Sequence, residues 1–154
     1  MRRVLLLATA MTALASGPAL AASLVNGGFE QPGGSSAVFL PPGSTYITGW
    51  TTVDATPGGD SDVQYSSNAA FGSYGVVASE GAHYLDLTGN VGRGKGVISD
   101  AVAVNAGEKY RVAFDVGAFF VAGQGSFGDA TVDLLVNGVL AGSFTNVMDL
   151  KTPG

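Results

Sequence analysis

One acid near the start of the chain stands apart. Glu30, in Leu24-Val25-Asn26-Gly27-Gly28-Phe29-Glu30-Gln31-Pro32, has no lysine or arginine within ten residues. A lone carboxylate of this kind is either solvated or a ligand for a hard cation, which gathers about six to eight oxygens from carboxylates and backbone carbonyls. A sugar would ask for something different, aromatic faces with a few polar groups. Tyr65, Phe71 and Tyr74 are candidates because they flank or occupy a loop of small residues at 66–75. Tyr84 joins them, alternating with Leu85 beside Asp86. Trp50 lies at strand spacing and reads as core. Glycoside hydrolysis would need two facing carboxyls, but Asp54, Asp60 and Asp62 stand in a Pro/Gly-rich stretch and read as solvated loop charges. His83 is the single histidine and there is no cysteine, which leaves no His/Cys set for zinc and no cysteine nucleophile. The stretch at 89–96 lacks the spacing and the hydroxyl of a phosphate-binding loop and reads as a turn. These residues describe a binding module and not an enzyme.

The elements that must position them are short. Apolar runs alternate with turn signals after residue 22, the pattern of an all-β sandwich or barrel. The clearest expected strand is 109–116, with Tyr110, Val112, Phe114 and Val116 on one face and Arg111 and Asp115 on the other. Ala130 to Val136 and Val139 to Phe144 flank Asn137-Gly138, the signal of a tight hairpin whose two turn residues take positive φ. Further strands are expected at 45–52, 82–87 and 96–104, the last closed by a turn at 105–108. Strand alternation around Phe29 would send its ring into the core, worth about 1.5–3 kcal/mol, and Glu30 outward.

Arg2 and Arg3, the apolar run from Val4 to Leu14 and the small-x-small triplet Ala19-Leu20-Ala21 read in order as a secretory leader. Residues 1–21 are thus expected to be removed, leaving 22–154 as a single secreted domain without a membrane-spanning segment. The formal net charge of the whole chain is −5, and the leader holds two of its few basic residues. Nucleic acid is excluded as a partner, since its binding rests on lysine and arginine neutralising phosphates.

The ordered set "LVNGGFEQP", "FLPPGSTYITGW", "DVQY", "GAHYLDLTGN" and "GVISDAVAVNAGEKYRVAFDVGA" resembles the bacterial members of the domain of unknown function 642 family and the related choice-of-anchor C group. The resemblance implies a galactose-binding-like antiparallel β-sandwich, a jelly roll, here expected to lack its last strand. It also implies a non-catalytic role on cell-wall or extracellular polysaccharide, with structural calcium as the one implied cofactor. The alternative is a matrix protein acting through protein–protein contacts. Carried over from related sandwiches with an N-G-x-F-E opening, Glu30 would be the carboxylate ligand to calcium, with carbonyls near Gly81 and His83 as its partners.

Overall fold

A computed structural model of the chain describes residues 23–54, 62–88, 95–117, 120–121, 125–126 and 129–147. The expected leader, Asp60 and most of the turn expected at 89–96 lie outside the described residues. What is described is nearly all β, in antiparallel pairs with almost no helix, as an all-β sandwich-like fold requires. Among the described residues no helix is long and apolar enough to cross a membrane.

Three short strands form the sheet that carries the site. They are β1 (Val38–Leu40), β3 (Val63–Ser67) and β4 (His83–Asp86), in the order β1-β3-β4. The middle strand is buried at all five positions, because β1 and β4 take both its edges. A second pair joins β2 (Trp50–Asp54) to β5 (Lys95–Ser99). Its end is closed by the cross-strand ion pair of Lys95 with Asp54, Nζ to Oδ1 at 2.9 Å. β6 (Phe120–Val121) and β7 (Gly125–Ser126) make a two-residue ladder. β8 (Ala130–Val136) and β9 (Val139–Asn146) make the hairpin, with Asn137 and Gly138 at φ 52° and 76°. The compact heart is Leu40, Ile47 and Tyr65, with Phe29, Val38, Trp50 and Leu85 packed against it.

Several expected elements differ. The strand expected at 45–52 begins only at Trp50. Gly49 takes φ +80° where the chain passes against Val25, and a β-carbon at Gly49 would meet Val25 at 2.8 Å. The Pro41-Pro42-Gly43 turn instead folds onto Thr52, whose hydroxyl donates to the Pro41 carbonyl at 2.6 Å and accepts from the Ser44 N–H at 2.9 Å. The alternating run at 109–116 forms no strand. Phe114 leaves it to meet Phe144 edge-on at 5.0 Å, and the Val116 carbonyl accepts from the Asn146 side chain. The stretch expected as a loop at 66–75 holds the end of β3, a helical turn α1 (Asn68–Phe71) capped by the Ser67 hydroxyl, and a 3₁₀ turn at Gly72–Tyr74.

Candidate functional site

The site begins with the turn at 24–34. Asn26 sits at φ 51°, and its side chain ties the turn to itself and to the turn that leads into β2. Its Nδ2 donates to the Gln31 and Thr48 carbonyls at 2.8 and 3.1 Å, and its Oδ1 accepts from the Gln31 N–H at 3.0 Å. The Trp50 indole N–H donates to the Val25 and Asn26 carbonyls, each at 3.1 Å. Phe29 is not in a strand. It takes φ 61°, a left-handed conformation unusual for a bulky residue, and its ring lies 5.0 Å from that of Trp50. The inward Phe29 and outward Glu30 expected from strand alternation are thus produced by a turn.

Glu30 reaches the start of β4. Its Oε1 accepts from the backbone N–H groups of Ala82 and His83 at 2.9 and 3.0 Å, and its Oε2 lies 2.9 Å from His83 Nδ1. The other ring nitrogen, Nε2, lies 2.9 Å from the Gly34 carbonyl oxygen. A carbonyl can only accept, so Nε2 carries hydrogen, and an ionised carboxylate requires hydrogen on Nδ1 as well. The geometry therefore holds His83 as an imidazolium, or as one proton shared between Nδ1 and Oε2.

The electrostatics agree with the geometry. The His83 hydrogen bond, then the Ala82 N–H, draw the Glu30 carboxyl below its ordinary value of 4.5. For His83, burial is the largest single influence and pulls downward. The bonds to Glu30 and Gly34 and the charge of Glu30 together outweigh it, so the imidazole rises above 6.5. The side chain of His83 is 7% exposed and that of Glu30 44%, so the pair is buried at the imidazole and open to solvent at the carboxylate.

The sequence-expected residues divide. Glu30, Gly81 and His83 do come together, from positions more than fifty residues apart. Gly81, at φ +71°, leaves room for the Glu30 carboxylate where a β-carbon would collide with it. As arranged they do not make a calcium cage. Three N–H donors face the Glu30 oxygens, His83 offers nitrogen, and the Gly81 carbonyl accepts from Asn68 Nδ2 at 3.2 Å. Among the described residues no cluster of three or more His, Asp or Glu side chains is present.

The expected aromatic platform is not assembled either. Tyr65 is 1% exposed, in the core, and has no free face for a sugar. Phe71 is half-buried at the end of α1, and Tyr84 is half-buried in β4. Tyr74 ends the 3₁₀ turn, and its side chain lies outside the described residues.

Compared with known families, residues 21–154 match the one described as HpiC1-like, HpiC1 cyclase. The chain belongs to the HpiC1-like family. Comparison with curated proteins and with solved structures gave no match.

Membership of the HpiC1-like family overturns the resemblance to the domain of unknown function 642 and choice-of-anchor C families. With it fall the non-catalytic, polysaccharide-binding module and the exclusion of enzymatic activity. The motifs that carried the resemblance do framework work here. Asn26 and Trp50 pin a turn, Phe29 packs on the indole, and Tyr65 of "DVQY" fills the core. Such residues report how a sheet is closed and say little of what it binds. Two site residues escaped the sequence reading in their real roles: His83 as the partner of Glu30, and Tyr65 as the ring behind it. The resemblance places Glu30 beside the backbone at Gly81 and His83, but nothing in the sequence signals that the His83 imidazole is the group that meets the carboxylate.

Proposed function

We propose that this chain is an exported enzyme of the cyclase type. It holds a flexible small-molecule substrate in a folded shape and assists ring closure by proton transfer at Glu30 and His83. The observation that carries this reading is the match of residues 21–154 to a family described as a cyclase. The site geometry supports it. A ring closure without a leaving group is an isomerisation, so one group that gives and takes back a single proton balances the reaction. Glu30 is the solvent-facing member and meets the substrate. His83, behind it, stores the proton and keeps the carboxylate ionised. Positioned acid–base groups contribute roughly 10²–10⁴-fold, and holding the reacting ends together contributes about 7–11 kcal/mol when the fit is good. Tyr46, exposed and edge-on to Tyr65 at 6.0 Å, offers an apolar surface on this side of the core.

The test is a panel of flexible unsaturated molecules incubated with the mature chain, followed by chromatography and mass spectrometry. A product of unchanged mass and altered retention is expected, formed about 100-fold more slowly by Glu30→Gln. A folded wild type inert across the panel overturns the reading. Equal rates in both proteins remove Glu30 from it.

A further inference from the structure

We infer that Tyr65 is a positioning residue for the Glu30–His83 pair: its ring sets the plane of the imidazole and its hydroxyl fixes the backbone on both sides of Glu30. This rests on the reading of that pair as the working acid–base group.

The sheet register makes the first contact. Tyr65 faces Leu85 and Ser67 faces His83 across β3 and β4, so Tyr65 and His83 are diagonal neighbours on one face. Their rings lie parallel within 6°, with centroids 5.1 Å apart. Tyr46 closes the assembly from the side, at 68° to Tyr65.

The hydroxyl makes the second contact. It donates to the Phe29 carbonyl at 2.9 Å and accepts from the Gly33 N–H at 3.2 Å. Glu30 lies between these two residues. The turn that aims it includes a left-handed Phe29, a conformation that persists only where the surroundings hold it. One buried side chain therefore touches the imidazole directly and the carboxylate's own backbone through two hydrogen bonds. A phenylalanine would fill the same volume and leave both backbone groups unpaired. Burial pushes the phenol up from its ordinary value, which keeps the hydroxyl protonated and able to donate.

The experiment compares Tyr65→Phe with Val63→Ala in the mature chain. Val63 is equally buried on the same strand, so it controls for lost stability. Two signatures are read by NMR: the proton on His83 Nδ1, and amide exchange at Ala82 and His83 relative to the β2–β5 ladder. In Tyr65→Phe the two amides are expected to exchange about five- to tenfold faster relative to that ladder, the range of one lost hydrogen bond. The Nδ1 proton is expected to broaden or vanish. Val63→Ala is expected to leave both signatures in place. Wild-type signatures in Tyr65→Phe, or the same changes in Val63→Ala, overturn the inference and make Tyr65 a core residue only. Where the isomerisation assay gives turnover, Tyr65→Phe lowers kcat with KM held. Where it gives none, the cyclase reading fails, and the exchange and ring-proton data still decide the role of Tyr65.

Discussion

Replacing Glu30 by glutamine tests the pair most directly, because the side chain keeps its shape. The substituted amide still presents an oxygen to the Ala82 and His83 N–H groups, which Glu30 holds at 2.9 and 3.0 Å. Its NH₂ group turns a donor toward His83 Nδ1, so the imidazole becomes neutral while Nε2–H keeps the Gly34 carbonyl. The variant therefore loses only the difference between a charge-assisted and a neutral hydrogen bond, about 1–1.5 kcal/mol. The half-exposed carboxylate lowers this to about 1 kcal/mol.

For a domain of this length that is about 3–5 °C in Tm. The sign with pH follows from the shifts. His83 is raised above 6.5 in the fold, so its contribution is complete below the unfolded value and fades as pH climbs through the folded one. Glu30 is lowered below 4.5, so its contribution is complete above that value and is lost as pH falls through the folded one. The pair is strongest between about pH 4.5 and 6.5. His83 is the only histidine, so no other side chain of ordinary pKa titrates between about pH 5.5 and 8.5. Thermal unfolding followed by circular dichroism should show the wild type losing about 1 kcal/mol across that interval, while Glu30→Gln, whose imidazole stays neutral in the fold, shows no such loss and instead weakens toward the acid end as the unfolded histidine protonates. A wild type flat across the interval, or a variant with the wild-type slope, would refute the reasoning.

The other expectations are quickly put. At about pH 5.5 an imidazolium occupies the space beside Glu30, so millimolar calcium and chelator should give the same Tm. A calcium-dependent rise abolished by Glu30→Gln would make the site an ion site. Gly81→Ala and Gly107→Ala both place a side chain at positive φ, but only the first drives it into Glu30, while the second meets open space. Each loses about 1 kcal/mol for the left-handed backbone, and urea titration should show an additional loss for Gly81→Ala. Trp50→Phe keeps the contact with Phe29 but deletes the indole donor to Val25 and Asn26. It should cost about 1 kcal/mol and speed proteolysis within 24–30.

The β class and the 130–146 hairpin were legible because their cues are local. Alternation and an Asn-Gly pair act within a few residues. The strand expected at 109–116 shows where such cues stop. Its alternation is real, but with no ladder partner among the described residues its Val112 and Phe114 stay 52% and 42% exposed. Pairing is a property of two segments, and periodicity reads one. The most buried strand, β3, is weakly marked in sequence because Val63-Gln64-Tyr65-Ser66-Ser67 holds only two apolar or aromatic residues, an alternation too short to stand out. Its burial comes from position between β1 and β4. The site was half legible for the same reason. The resemblance names Glu30, Gly81 and His83 together as calcium ligands, and the structure brings them together, but the nature of the meeting depends on N–H groups and a tautomer that no letter of the sequence encodes. Tyr65, expected beside a loop as a sugar-facing ring, lies in the core against His83; a tyrosine next to a loop looks alike in sequence whether its ring faces water or a histidine.

The β8–β9 hairpin has a bearing on how the protein behaves at high concentration. Among the described residues, each of its strands has one edge with no strand partner. From Leu134 to Val147 there is no charged residue and no proline. Around the turn Leu135, Val136, Val139 and Leu140 are all more than half exposed. Natural edge strands are usually guarded by a lysine, a proline or a bulge. The one register shift here, opposite Leu134 and Leu135, puts its extra residue, Ala141, on β9 and leaves β8 without a bulge. Such a hairpin is expected to limit solubility, and a lysine in place of Val139, on the exposed tip and far from Glu30 in sequence, should raise that limit without touching the chemistry.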